Sequence, residues 1–314
     1  MSRRRKGRDI HGVLLLDKPA GLSSSQAVQK VRWLFDARKA GHTGSLDPFA
    51  TGMLPICLGE ASKTAGFMLD ASKIYVAEAR LGQATRTGDP EGEVVAEAPV
   101  PGADCAPVRA ALKKFEGRIE QVPPMYSALK HEGQRLYKLA RAGQEVPRQA
   151  RQVTVHELRL ERWEPPALVF RVHCSKGTYV RTLAEDIARE LDSCAHLVAL
   201  RRLAVEPFRE EDMLGLDQLA ALKETGTLER CLMPPDAGLQ DWPTVILGEA
   251  EAGRFRHGGI IEAGTVGIAA DAALAPGPVR VYGPSGVLLG LGEIDAELRL
   301  KARRVFNLEA RVGV

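Results

Sequence analysis

The chain has 314 residues, 45% of them hydrophobic and 26% charged, with a formal net charge of +3. That length and apolar content exclude a disordered chain and admit one large domain with a small one, or two ordinary domains. No apolar run approaches the length of a membrane-spanning helix, because residues 13–16 are cut off by Asp17 and Lys18.

The chain starts with basic residues (Arg3, Arg4, Arg5, Lys6, Arg8). No adequate apolar region or small-residue cleavage site follows them, which argues against secretion. Residues 12–16 read as a short buried strand that ends in a turn over 17–21. Ser23 and Gln26 form a capping-box pattern, and Ala27, Val31 and Leu34 follow at helical spacing. Residues 41–52 form a glycine-rich loop in which Asp47 is the sole acidic side chain. Pro48 pushes Asp47 toward extended backbone. Gly44 and Gly52 permit turns or close approach by another backbone. A carboxylate fixed on such a loop serves as a nucleophile, an acid–base group or a turn residue, and the residues alone leave the three open.

Tyr75, Ala77, Ala79 and Leu81 alternate with Val76, Glu78 and Arg80, a strand pattern. Val108, Leu112 and Phe115 suggest a helix. Residues 128–152 carry Lys130, Arg135, Lys138, Arg141, Arg148 and Arg151 against Glu132 and Glu145. Such a run is either a solvated surface or a grip on an anionic polymer. Leu168, Phe170, Val172 and Cys174 mark a second strand, broken by residues 175–178. Val180, Leu183, Ala184, Ile187, Ala188 and Leu191 then define an amphipathic helix. Arg181 sits early in that helix and off its apolar stripe, so it is expected to point out of the core toward a cleft. Cysteines Cys57, Cys105, Cys174, Cys194 and Cys231 are dispersed without a Cys-x-x-Cys pair, the usage of a reducing, cytoplasmic compartment. His173, Cys174, Cys194 and His196 resemble a zinc set only superficially. His173 and Cys174 are strand neighbours and point to opposite faces. Residues 233–243 read as a linker. Beyond it, β-like runs at 245–247, 279–282 and 287–291 suggest a small β-rich domain over 245–314.

An ordered set of segments then carries a family resemblance over nearly the whole chain. These are GVLLLDKPAGLSS (12–24), AGHTGSLDPFATGMLPICLGEASK (40–63), KIYVAEARLG (73–82), VPPMYSALKHEGQRLYKLARAG (122–143), CSKGTYVRTLAEDI (174–187) and AHLVALRRLAV (195–205). Together they resemble the bacterial tRNA pseudouridine-55 synthases of the TruB type. GLGEID (290–295) resembles the RNA-binding PUA domain shared by pseudouridine synthases and archaeosine transglycosylases. The final basic stretch, 298–306, lacks the proline that often precedes the last basic pair of that domain. Residues 207–240 match the family least.

The resemblance implies an α+β fold. A catalytic domain over 1–240 would hold a mixed, mostly antiparallel sheet flanked by helices, with an RNA-gripping thumb insertion at about 122–152. A PUA-like domain over 245–314 would follow. It also implies isomerisation of one T-loop uridine of tRNA to pseudouridine, with no cofactor, no metal, no membrane and no obligate protein partner. The base must leave its stack before its atoms can be reached. On this resemblance Asp47 is the nucleophile and Arg181 the cation that holds it ionised, through a fork suited to a carboxylate. Asp89 completes an Asp–Arg–Asp network at the substrate site. Tyr75 and Tyr179 contact the target uridine, with stacking the expected role of Tyr75 and later proton transfer a further one. Leu200 supplies an apolar wall. His42 enters the T loop and fills the space left by the flipped base. Two other readings are a protein that opens the tRNA elbow without chemistry, and a nucleoside or glycoside hydrolase using paired carboxylates.

Overall fold

The computed structural model describes residues 7–262, 267–268 and 275–308. The basic residues Arg3, Arg4, Arg5 and Lys6 lie outside the described residues. The architecture is α+β, with one large sheet and a smaller, six-stranded one.

The large sheet orders its strands as Gly12–Lys18, Thr51–Leu58, Ala195–Val205, Lys73–Leu81, Ala167–Cys174, Arg151–Glu164 and Gly117–Gln121, with Ala40–His42 also paired to Thr51–Leu58. Every pairing is antiparallel except that of Thr51–Leu58 with Ala195–Val205. Helices Ser24–Leu34, Cys105–Lys114 and Val180–Glu190 cover one face. Their apolar stripes, including Ala27, Val31, Val108, Leu112, Leu183 and Ile187, join Ala77, Ala79, Phe170 and Leu197 of the sheet in one core. Strand side chains two residues apart share a face, so Tyr75 lies on the same face as Ala77 and Ala79. Ser23 caps the first helix through the expected reciprocal bonds with Gln26. The opposite face, near Gly12–Lys18, is closed by a second cluster containing Val13, Leu15, Met53, Cys57, Met68 and Phe208.

Two pairings place the site. The chain leaves the sheet at Gln121 and returns at Arg151, which are partners in register. Residues 122–150 are therefore an excursion from one edge, carrying the helix Leu136–Arg141 and a minimal hairpin of Lys130–His131 with Gln134–Arg135. The parallel pairing sets Gly52 beside Arg202. Gly52 has φ +96°, and a β-carbon there would lie 2.2 Å from the Arg202 carbonyl oxygen. The close approach expected at this glycine is thus made, and it is made by a strand.

The smaller sheet runs in the order Ile261–Glu262, Arg299–Val305, Leu288–Ile294, Gly277–Tyr282, Thr244–Ile246 and Gly267–Ile268. It has its own core around Phe255, Val279, Val281, Leu289 and Leu300. The stretch at 233–243 differs from the linker expected of it. Met233 bridges to Val13, the Pro235 carbonyl accepts from Thr64 Oγ1, and Asp236 is buried against Arg280 and Tyr282. Prolines signal a break in regular structure, and they do so equally well in a segment whose side chains are packed.

Candidate active site

The loop between Ala40–His42 and Thr51–Leu58 carries Asp47 and is fixed from several sides. Ser24, the first residue of its helix, exchanges two hydrogen bonds with the Leu46 backbone (2.7 and 2.9 Å). Lys18 is fully buried and donates to the carbonyls of Pro19, Leu22 and Pro48, the last at 3.2 Å. Arg202, only 2% exposed, donates to the carbonyls of Gly44 (3.1 Å), Ser45 (3.5 Å) and Met53 (2.6 Å). Asp47 is thus held by its neighbours' backbone while its own carboxylate stays free for other partners.

Its partner is Arg181. The Nε approaches Asp47 Oδ2 at 3.0 Å and Nη2 approaches Oδ1 at 3.4 Å, a two-point grip. The Arg181 side chain is 4% exposed and that of Asp47 is 36% exposed. One side of the carboxylate is therefore fixed and another is open. The remaining donors of Arg181 go to the carbonyls of Thr87 (2.7 Å) and Tyr126 (2.8 Å). Being off the apolar stripe does direct Arg181 toward the cleft, but the Arg86–Asp89 turn and the base of the excursion cover it there. Asp89 stands 3.8 Å from Arg181 Nη1. The carboxylate of Asp89 is buried and accepts from the Thr87 hydroxyl and the Glu91 amide. The Asp–Arg–Asp grouping exists, with Asp89 the more distant and the more enclosed of its two carboxylates.

Burial raises the Asp47 carboxyl above its ordinary value. The Arg181 charge opposes that rise and the Asp89 charge adds to it. His42 is shifted down by burial, and further by the charges of Arg202 and Arg135. Its Nδ1 accepts from the Gly44 amide at 3.2 Å, so the imidazole is neutral with its other nitrogen available as a donor. Tyr75 is shifted up by burial, with Arg202 opposing through its charge and a polar contact. Tyr179 is also shifted up by burial. Its backbone is clamped by Gln121, which donates to the Tyr179 carbonyl (3.1 Å) and accepts from its amide (2.8 Å). Leu200 is buried in the core cluster against which Tyr75 and Phe49 pack.

The structure thus brings Asp47, Arg181 and Asp89 into one network, with His42 at the end of the strand that leads into the Asp47 loop. Tyr75 and Leu200 lie on adjacent strands, and Tyr179 precedes Arg181 by two residues. Sequence reasoning missed Lys18, Gln121 and Arg202. Lys18 lies in the GVLLLDKPAGLSS segment and Arg202 in AHLVALRRLAV, so the segments were visible and the burial of their charges was not. The excursion's cations Lys130, Arg135, Lys138 and Arg141 are exposed, as is Arg151 where the chain rejoins the sheet. Arg148 turns inward instead, to the Pro123 carbonyl and Glu145. His173 and Cys174 face opposite ways, Cys174 being buried among the core apolar groups. Among the described residues no helix is long and apolar enough to cross a membrane.

Comparison with known proteins agrees with this architecture. Residues 32–180 match the family described as TruB family pseudouridylate synthase (N terminal domain). Residues 181–240 match the tRNA pseudouridylate synthase B C-terminal domain, and 243–306 match the pseudouridine synthase II TruB C-terminal model. The stretch 207–240, least recognisable by eye, therefore falls inside a family model. The tRNA pseudouridine synthase B of Pectobacterium atrosepticum is 47% identical, with 97% of this chain and 98% of that protein aligned. The protein of the same name from Nitrosococcus oceani is 49% identical over 96% of this chain and 97% of its own. A solved structure titled "Crystal Structure of a Cbf5-Nop10-Gar1 Complex" superposes with TM-score 0.71 at 26% identity, covering 94% of this chain and 84% of that one. A second, of an H/ACA RNP bound to a substrate RNA containing 2'-deoxyuridine, gives TM-score 0.72 at 24% identity over 95% and 85%, which is a likeness of fold. These likenesses, over nearly the whole chain, define a pseudouridine synthase. The chain belongs to the TruB family of pseudouridylate synthases.

Proposed function

We propose that the protein converts the T-loop uridine at position 55 of tRNA into pseudouridine, with Asp47 as nucleophile. The observation that carries this reading is the asymmetry of the Asp47–Arg181 pair. A carboxylate whose guanidinium partner is buried and fixed, and which keeps an open side, is arranged to attack rather than to bridge. The high identity to proteins named tRNA pseudouridine synthase B supports the substrate.

The reaction is an isomerisation. The bond between uracil N1 and the ribose anomeric carbon breaks, and one from uracil C5 to the same carbon forms. C5 loses a proton and N1 gains one, so atoms balance and no electron acceptor is required. Asp47 attacks either the anomeric carbon or uracil C6, and both need an ionised carboxylate at this place. Arg181 opposes the burial that would protonate it. Tyr75 lies under the flipped ring as a stacking surface, and Leu200 closes the apolar side. His42, neutral and at the end of the strand that leads into this loop, stacks and hydrogen-bonds in the gap the base leaves. The exposed cations Lys130, Arg135, Lys138 and Arg141 of the excursion grip phosphates as a thumb, adding affinity without reading sequence. Residues 245–314 act as a PUA-like second RNA platform. The segment at 298–306 is basic, with Arg299, Lys301, Arg303 and Arg304 on one strand.

Incubation of purified Asp47→Asn with unmodified tRNA, followed by mapping of pseudouridine, tests the assignment. Product should fall by at least about 10³-fold while tRNA binding persists. Product at the wild-type rate would remove Asp47 from the role of nucleophile. Release of free uracil by the wild type would convert the reading to a hydrolase.

A further inference from the structure

Arg202 and Lys18 are both buried charges held by backbone carbonyls, and Arg202 is the one that also stands opposite Tyr75. Arg202 is 2% exposed, and among the described residues it makes no ion pair. Buried charges are ordinarily paired with an opposite charge, because carbonyl dipoles alone compensate only part of the lost hydration. Here three carbonyls take the donors: Met53 at 2.6 Å, Gly44 at 3.1 Å and Ser45 at 3.5 Å. All three belong to the loop that carries Asp47 or to the strand that follows it. The same residue stands opposite Tyr75 in the antiparallel register and beside Gly52 in the parallel one. No bulky residue separates these strands at that point, because Gly52 has no β-carbon to do so. One side chain therefore ties together the three strands that frame the cleft, and its charge is left unneutralised next to Tyr75.

We propose that Arg202 is a positioning residue of the uridine site, which holds the Asp47 loop in register with Tyr75 and supplies that tyrosine with a fixed, unpaired positive charge. This rests on the reading of the site as a pseudouridine synthase site. Arg202 does not reach substrate itself, since it is closed beneath the loop. It acts through its two clients. The carbonyl fork sets the height of residues 44–48, and the charge is a preorganised field aimed at the face where the detached uracil would sit. The groups that face the Tyr75 phenol are Arg202, Cys174 of the neighbouring strand and Asp47 of the loop. Arg202 favours the ionised phenol and the other two oppose it. The charge also adds to the burial that lowers His42, at the end of the strand leading into the same loop.

Two substitutions separate the fork from the charge. At the neutral pH of a turnover assay Arg202→Lys keeps the charge and loses the three-carbonyl fork, whereas Arg202→Met loses both. Each is made in the full chain and also with Tyr75→Phe, so that subtracting ultraviolet titrations isolates the Tyr75 phenol. Both single variants should lower kcat on tRNA by at least about 10-fold with KM changed by less than about 3-fold. The Tyr75 titration should move to higher pH in both variants, because a lysine buried at this place loses its proton before a phenol held above its ordinary value does. Wild-type kcat in both variants would overturn the proposal. So would a loss of kcat in Arg202→Met with the phenol titration unmoved, which would make Arg202 a packing residue. If Arg202→Met fails to fold, as judged by its thermal melt, the lysine variant decides through kcat and KM. The titration needs no RNA, so a wild-type protein that makes no pseudouridine would refute the function while the Arg202–Tyr75 coupling is still read separately.

Discussion

Arg181 touches three chain segments at once: the Asp47 loop, the Thr87 carbonyl and the Tyr126 carbonyl. Lysine in its place keeps one positive charge and has no planar fork, so it cannot hold both Asp47 oxygens and both carbonyls. Arg181→Lys should therefore lower kcat by about 10²-fold, the scale of a small misplacement of a reacting group, with tRNA affinity nearly unchanged. Equal losses in filter-binding and turnover assays would instead make Arg181 an RNA anchor. The rate should also fall on the acid side as Asp47 takes up a proton, over a limb above the ordinary carboxyl value because burial raises it. Lys18 gives a second residue-scale test. Burial lowers it from 10.5 to about 8, with Asp47 opposing. Between those values the unfolded chain binds a proton that the folded one does not, so the stability owed to Lys18 rises with pH through that window. Thermal melts of wild type and Lys18→Met from pH 7 to pH 10 should diverge in favour of the wild type as pH rises. A gap that is flat with pH would mean that Lys18 is solvated.

At the scale of elements, adjacent serines at one helix start have separable duties. Ser23 caps the helix Ser24–Leu34, so Ser23→Ala should cost about 1 kcal/mol in urea denaturation and leave turnover intact. Ser24 instead pins Leu46, the residue before Asp47, so Ser24→Ala should lower turnover as well. A Ser24→Ala enzyme with wild-type kcat would show that the loop is held without it. This contrast also explains what the sequence made legible. The capping box, the helix over 180–190 and the strands at 75–81 and 168–174 follow from local spacing, which one segment carries by itself. The Ala195–Val205 strand does not, because irregular pairing near Val198 and Leu203 breaks its alternation. Thr51–Leu58 is equally opaque. It is apolar on both faces and contains Pro55, a residue that argues against an interior strand. The family motif supplied Asp47 and Arg181, whereas the burial of Lys18, Gln121 and Arg202 depends on strand partners far away in sequence. Charged residues read as surface until such a partner covers them.

At the scale of the whole molecule, the small sheet is fastened to the large one at several points. Lys63 Nζ donates to the Val305 carbonyl at 2.7 Å, and Glu60 Oε2 accepts the Asn307 amide at 2.8 Å. Phe67 meets Trp242 edge-on with ring centroids 4.9 Å apart, and the Arg303 guanidinium lies over Phe67. Asp236 is the most enclosed of these fasteners. It accepts from Tyr282 at 2.6 Å and Arg280 at 3.2 Å, and the Arg280 side chain is itself only 12% exposed. Removing that carboxylate leaves a nearly buried cation and a phenol without their partner, a loss of about 3–5 kcal/mol for a broken buried pair. The cost falls on the junction, because the core of each sheet is separate. In Asp236→Ala, amide exchange should therefore accelerate in Gly277–Tyr282 and Leu288–Ile294 and stay slow in Lys73–Leu81 and Ala195–Val205. If the small sheet is a second RNA platform, its orientation matters for a whole tRNA and not for a short stem-loop bound at the cleft. The variant should then show a raised KM on full-length tRNA with kcat kept, and wild-type kinetics on an isolated T stem-loop. Equal loss on both RNAs would mean instead that the junction transmits its disorder to the Asp47 loop through the segment Gly59–Lys63.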